Sequence, residues 1–220
     1  IEQIIQKIPR HATIRILYAK LLFKALKPSD GCKQIEILLK YHSNRKKDAL
    51  ALLKDHMTGF PDNPDILYLT STLLIQTGEY TESLQFIQSL IHNHHRLSDK
   101  CLDLMQKIIE QYPTHCLALE LIGHIYLQQQ NYHQAFYYFD HCIQQHPTPE
   151  TLGLIELLEP IQNNPDEPSQ FQAKLLIAKV YTHSNKDEDA LAIIKTLENS
   201  EESNSAKLLY INILNKHHQY

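Results

Sequence analysis

The sequence contains no tryptophan, two methionines and five glycines among its 220 residues. So little glycine, set against abundant Leu, Ile, Gln and Lys, favours helix over sheet. Basic charge is also in short supply. Lys and Arg number 21 against 25 Asp and Glu, a net charge of −4, and the pI is about 6.4. A nucleic-acid binder needs a basic surplus or stripe, so that class is disfavoured. No apolar run approaches the roughly 18 residues of a membrane span, and no secretory signal is present in this segment. There is no phosphate-cradling glycine loop, no GxSxG and no HExxH. No enzymatic activity, cofactor or metal is therefore expected within these residues. The four cysteines, Cys32, Cys101, Cys116 and Cys142, show no short paired spacing. They read as buried thiols rather than a disulfide frame. The chain does not begin with Met and reads as a fragment of something longer.

What the sequence does have is a period. Pro9, Pro61, Pro113 and Pro165 recur every 52 residues, and the residues between them recur too. Each unit holds three helical segments. In the first, one inward row is Tyr18, Thr70, Ile122 and Ile177, and a small row follows at Ala19, Ser71, Gly123 and Ala178. Apolar rows come next at Leu21, Leu73, Ile125 and Val180, and at Leu22, Leu74, Tyr126 and Tyr181. The second segment repeats a small residue at Gly31, Ser83, Ala135 and Ala190. Large ones follow at Ile35, Ile87, Phe139 and Ile194, then Leu38, Leu90, Cys142 and Leu197. The third gives Ala49, Cys101 and Gly153, then Leu53, Met105 and Leu157. The fourth unit is displaced by three residues, which fits an insertion around Asp166-Glu167-Pro168 inside a longer loop from Asn163 to Ser169. Ile1, Ile4, Ile5 and Ile8 fit the tail of a preceding unit. The last third helix, Ser205 to Tyr220, has a less apolar inward row of Leu208, Ile211, Asn212 and Lys216.

Boundary residues agree with this division. Asp62-Asn63-Pro64-Asp65 and Thr148-Pro149-Glu150 each give a cap, a proline in the first turn and an early acid. Gly78, Asn131 and the segment Lys27-Pro28-Ser29-Asp30 fall at bends, where a left-handed residue is expected.

The stretch from Cys116 to Pro147 is more specific. It is apolar at Leu119, Ile122, Gly123 and Tyr126, then at Ala135, Phe139 and Cys142, and it ends at Pro147. This pattern resembles a tetratricopeptide repeat, with Leu119 where Trp is usual and Cys142 where Ala is usual. The resemblance implies an all-α fold: a right-handed α-solenoid or superhelix of stacked antiparallel helices, about 13 in a 52-residue three-helix period. The expected division is residues 1–9 as the end of a preceding unit, then repeats 10–61, 62–113, 114–165 and 166–220. Tetratricopeptide repeats are about 34 residues with two helices each. A 52-residue unit is therefore either a distinct three-helix repeat containing such a hairpin, as in armadillo-like stacks, or an ordinary two-helix superhelix whose period records ancestry.

The resemblance also implies that the fifth and ninth residues of each first helix face a concave surface. These are Ile16 and Lys20, Tyr68 and Thr72, Glu120 and His124, and Leu175 and Lys179. Chaperone-binding members of the family clamp a terminal carboxylate with Lys and Asn there, a set this sequence lacks. The mixed lining suits an extended peptide or a partner helix. The expected function is a protein-interaction scaffold with a protein or peptide partner and no nucleic acid. The alternative is a substrate-presenting or regulatory module of a larger enzyme, such as a transferase. The expected location is cytoplasmic, or periplasmic if an upstream signal or anchor has been removed. His92, His94 and His95 cluster near Cys101, but with no ligand-spaced cysteine pair they read as a solvated helix end. Glu156 and Glu159 read as a solvated face. In the Phe136–Phe139 aromatic run, at least one tyrosine must lie off the inward row, either exposed as a partner anchor or seated at a repeat junction.

Overall fold

The computed structural model describes residues 10–145, 152–163, 167–197 and 203–218, which contain twelve α-helices and no strand. The first six are α1 Ala12–Lys24, α2 Pro28–Tyr41, α3 Lys46–Met57, α4 Pro64–Thr77, α5 Tyr80–Asn93 and α6 Ser98–Gln111. Then come α7 Cys116–Gln128, α8 Tyr132–Gln145, α9 Gly153–Leu158, α10 Glu167–His183, α11 Asp187–Leu197 and α12 Ser203–His218. They fall into two compact units, Ile1–Ile108 and Ile109–Tyr220. Each hairpin (α1/α2, α4/α5, α7/α8 and α10/α11) is followed by a third helix. The expectations placed on Ile1 to Pro9, Pro147 to Glu150, Pro165 and the side chain of Lys216 lie outside the described residues.

The four hairpins share one bend. A residue with left-handed backbone stands at Leu26 (φ 58°), Gly78 (φ 86°), Gln130 (φ 58°) and Asn185 (φ 56°). In each, the next amide reaches back to the first carbonyl of the closing turn. Lys27 N donates to Leu22 O at 2.9 Å, Glu79 N to Leu74 O at 2.9 Å, Asn131 N to Tyr126 O at 2.8 Å and Lys186 N to Tyr181 O at 2.9 Å. This is the Schellman cap, which satisfies carbonyls the helix end would otherwise leave open. The bend thus lies one residue before the positions expected at Lys27 and Asn131. The amide of that following residue must point back into the helix, so the residue before it takes the left-handed turn. A side chain at that φ costs about 1 kcal/mol.

Helix starts follow the capping residues. Asn63 accepts the Ile66 amide at 3.1 Å with Pro64 in the first turn, and Asn131 accepts that of Gln134 at 3.3 Å. The ends of the second helices α2 and α5 are tied down as well. His42 Nε2 lies 2.5 Å from Arg10 O, and His94 Nε2 lies 2.8 Å from Asp62 O. These two histidines are 52 residues apart and both half-buried. His94 is therefore a latch rather than a freely solvated residue of the helix end.

Hairpin packing uses the small rows. Ser83 Oγ donates to Ser71 O at 3.1 Å inside α4/α5. In α7/α8, any Cβ at Gly123 would overlap the fully buried Phe139 ring, and in α1/α2 one at Gly31 would lie 2.9 Å from the Phe23 ring. Ile35, Ile87, Phe139 and Ile194 are all buried. In the first unit, α2 and α3 lie against α4, and the core joins Ile35, Leu50 and Leu53 to Ile66, Leu69 and Leu73. In the second, α8 and α9 lie against α10, joining Phe136, Phe139, Ile143 and Leu158 to Ala173, Leu176 and Val180. A further cluster joins α10, α11 and α12 through Phe171, Leu175, Ile194, Leu197, Ala206 and Ile213.

Several expectations are corrected. Gly153 is exposed, and the third helix of that repeat buries Leu154 and Leu158, one residue later than the 52-residue count. In α12, Leu208 and Ile211 are exposed; Ala206 and Ile213 are buried, with Leu209 and Tyr210 packed beside them. The third helices then agree in register, with Ala49, Cys101, Leu154 and Ala206 equivalent. Glu167 to Ser169 open α10 rather than belonging to a loop. Leu21 is exposed, unlike its buried equivalents Leu73, Ile125 and Val180. Finally, Cys116 and Cys142 form a disulfide, with Cα atoms 5.1 Å apart, while Cys32 and Cys101 are buried free thiols. The antiparallel hairpin sets the first residue of α7 opposite the last turn of α8. The equivalent positions elsewhere, such as Pro64 and Leu90, carry residues that cannot bond.

Candidate functional site

Each unit holds one groove between the second helix of a hairpin and the first helix of the next. In the first unit, Glu36 and Leu39 of α2 form one wall, and Tyr68, Leu69, Thr72, Leu73 and Gln76 of α4 form the other. Ser43 and Lys46 close one end, and the volume is about 460 Å³. Steps of four along α4 bring Tyr68, Thr72 and Gln76 to one edge. Thr72 Oγ1 is tied to Tyr68 O at 2.8 Å. Lys100 Nζ stands 5.5 Å from the Tyr68 ring centre, within cation–π range. Burial pushes the Tyr68 phenol above its usual pKa, and the charge of Asp103 adds to the shift.

In the second unit, His133, Phe136, Tyr137 and Asp140 of α8 face Pro168, Ser169, Gln172, Leu176 and Lys179 of α10 around about 440 Å³. Asp140 Oδ1 and Lys179 Nζ pair across it at 2.5 Å, with each side chain about 30% exposed (30% and 27%). Tyr137 is the exposed tyrosine of the aromatic run, at 61%. Its ring meets Tyr138 edge-on at 5.3 Å and approaches His141 at 6.4 Å. Tyr138 stacks on Tyr126, and burial raises its pKa. Glu36 and Asp140 occupy equivalent places in the repeat, as do Thr72 and Lys179. The two cavities therefore lie in the same inter-helix groove of the repeat and share these two positions and Leu69/Leu176, while the rest of their linings differ.

Of the eight residues expected on the concave face, Tyr68 and Thr72 share the first groove and Lys179 lies in the second. Ile16 and Lys20 lie on α1, and Glu120 and His124 lie on α7, in neither groove. Burial raises the Glu120 carboxyl above the ordinary range. Leu175 is buried in the α10/α11 cluster and presents no surface, because α10 begins at Glu167 and its groove edge runs through Gln172, Leu176 and Lys179. Counting along first helices missed the opposite wall, namely Glu36, Leu39, Phe136, Tyr137 and Asp140. An acid at Glu36 and again at Asp140, on the flanks of α2 and α8, was the available signal. Two members of the histidine cluster, His94 and His95, line a third hollow of about 560 Å³ with Pro64, Asp65 and Arg96. Among the described residues no three His, Cys, Asp or Glu side chains are placed to hold a metal ion.

No helix among the described residues is long and apolar enough to cross a membrane. The fold is one of antiparallel helical hairpins, each followed by a third helix. No known family profile matches the chain, and no curated protein does. Solved structures do align. A thermophilic TPR protein from Thermus thermophilus is 15% identical over 93% of this chain and 99% of its own, with a TM-score of 0.26. A tetratricopeptide repeat protein from Parabacteroides merdae is 16% identical over 94% of this chain and 87% of its own, with a TM-score of 0.27. Superpositions of that quality carry no argument about function.

Proposed function

We propose that this chain is a non-catalytic protein-interaction scaffold that binds an extended peptide or a partner helix in the grooves between successive hairpins. The observation that supports it is the duplication. Two separate units build a groove at the same place in the repeat, each with an acid on the second-helix wall (Glu36, Asp140) and a polar or basic side chain at the equivalent place opposite (Thr72, Lys179); each also has an aromatic ring at the rim, Tyr68 from the first helix of one hairpin and Tyr137 from the second helix of the other. Aromatic anchors beside charged groups are the composition that carries binding energy at protein interfaces. Affinity capture with the wild-type chain, repeated with Tyr68→Ala and with Tyr137→Ala, tests this reading. The partner should be depleted from both variants. A partner retained equally by wild type and both variants sinks the groove assignment.

Of the two expected locations, the periplasmic one fits the Cys116–Cys142 disulfide better, since a reducing cytosol keeps thiols free. Denatured protein taken directly from cells should then show two titratable thiols, Cys32 and Cys101. Four would point back to the cytoplasm.

A further inference from the structure

Charge is divided unevenly between the two units. Residues 1–108 carry fifteen Lys and Arg against eleven Asp and Glu, a net of +4, whereas residues 109–220 carry six against fourteen, a net of −8. The whole-chain value of −4 hides this split. The basic surplus is densest at the turn between α2 and α3, where Lys40, Arg45, Lys46 and Lys47 follow one another with no acid between them. The contact of His42 with Arg10 O brings Arg10 to the same turn, its guanidinium 5.2 Å from the centre of the exposed Tyr41 ring. Arg45 pairs with Asp48 at 2.7 Å. Among the described residues, Lys40, Lys46 and Lys47 have no carboxylate at ion-pair distance. The equivalent turn of the next repeat, with His92, His95, Arg96 and Lys100, is exposed too, although a full repeat precedes it. Exposure at this turn therefore belongs to the edge of the repeat and does not depend on what lies before α1.

The same turn is the end of the first groove, which Ser43 and Lys46 close. We propose that the partner segment held in this groove is acidic where it leaves past Lys46, and that its carboxylates lie on the lysines of the turn. The inference rests on the groove reading and gives that groove's ligand a chemistry. Unpaired ammonium groups at the mouth of an otherwise apolar and neutral channel favour carboxylates there by charge complementarity. The cations come from the turn after a second helix, not from the first-helix positions Ile16, Lys20, Tyr68 and Thr72. The second groove lacks this feature, because the lysine that lines it, Lys179, is already tied to Asp140. A protein segment fits better than a nucleic-acid strand or a membrane plane. Either of those extends beyond one turn, onto Glu36 and Asp48 at its margins, and a chain of net charge −4 repels it as a whole.

The test selects short random peptides displayed on phage against the full chain, and against a chain carrying Lys46→Glu and Lys47→Glu. Glutamate in the first turn of α3 suits the helix dipole, so this variant keeps its fold, and unchanged circular dichroism verifies that. Peptides recovered by the wild type should carry Asp and Glu gathered at one end beside an apolar stretch, and those recovered by the variant should not. In fluorescence anisotropy a recovered acidic peptide should bind the variant on the order of tenfold more weakly. Added salt should weaken its binding to the wild type. Recovery of the same peptides by both chains overturns the proposal, as does tighter saturable binding of an oligouridylate or of phosphatidylserine vesicles than of any recovered peptide. A Tyr68→Ala chain separates the two readings. Peptides that need Tyr68 but show no acidic end overturn this inference and leave the groove standing. Acidic peptides indifferent to Tyr68→Ala remove the groove reading and this inference with it.

Discussion

Reducing the Cys116–Cys142 bond is the sharpest perturbation of the second unit. The bond closes a loop of 26 residues between the start of α7 and the last turn of α8. In the chain-entropy account, cross-linking removes roughly 2.1 plus 1.5R ln n cal/mol/K from the unfolded ensemble, which for this loop is about 3.5 kcal/mol at 25 °C. That is a large share of the 5–15 kcal/mol typical of a folded domain. Urea denaturation with and without a phosphine reductant reads the difference, and the transition of each unit is fitted separately. The expected outcome is a midpoint shift confined to the second unit. A Cys116→Ala, Cys142→Ala chain should be insensitive to reductant. Cys32 and Cys101 do not interfere. Burial pushes their thiols up to about 12 and about 11, so both stay protonated and unreactive while folded. Equal midpoints with and without reductant would refute the reasoning, and so would a shift in the first unit alone.

Leu26→Gly should stabilise the chain by about 0.5–1 kcal/mol, since only the backbone cost of a left-handed leucine is relieved and its side chain is exposed; thermal melts check it. Gly123→Ala should cost about 1–3 kcal/mol, because the new methyl overlaps the Phe139 ring, and Phe139→Leu should recover part of the loss in a double-mutant cycle. Glu120→Gln should stabilise the protein at neutral pH. Burial raises the folded carboxyl's pKa, so the folded form holds its proton more tightly than the unfolded one. Stability therefore falls as pH rises from the unfolded carboxylate value through the folded one. The Gln variant should lose that slope and show no gain at pH 3.

The helical rows were legible because burial recurs at a fixed spacing. Ile35, Ile87, Phe139 and Ile194 are interchangeable in the sequence and equally buried in the fold. The one-residue slip at Leu154 was not legible, because Leu152, Leu154, Ile155, Leu157 and Leu158 offer an apolar row in either register. The bend was read one residue late because Asn131 and Lys27 look like turn residues, while backbone hydrogen bonding sends the left-handed conformation to Gln130 and Leu26. The cysteine pair is 26 residues apart and belongs to no spacing motif. Only the antiparallel hairpin brings it together. The site was half legible for the same reason. Counting along first helices finds Tyr68, Thr72 and Lys179, whereas their facing walls come from other helices, whose approach depends on tertiary packing.

The latch formed by His42 and His94 has a mechanical consequence. Each imidazole fastens the end of a second helix to the segment that leads into that hairpin's first helix, so the hairpin's entrance and exit are clipped together. Pulled from its two ends, such a chain should pay out in discrete lengths rather than fray smoothly. With 32 residues between the clipped ends, each release adds roughly 105–115 Å of extended chain. Replacing either imidazole with alanine should lower the force of its own step and leave the length of that step unchanged.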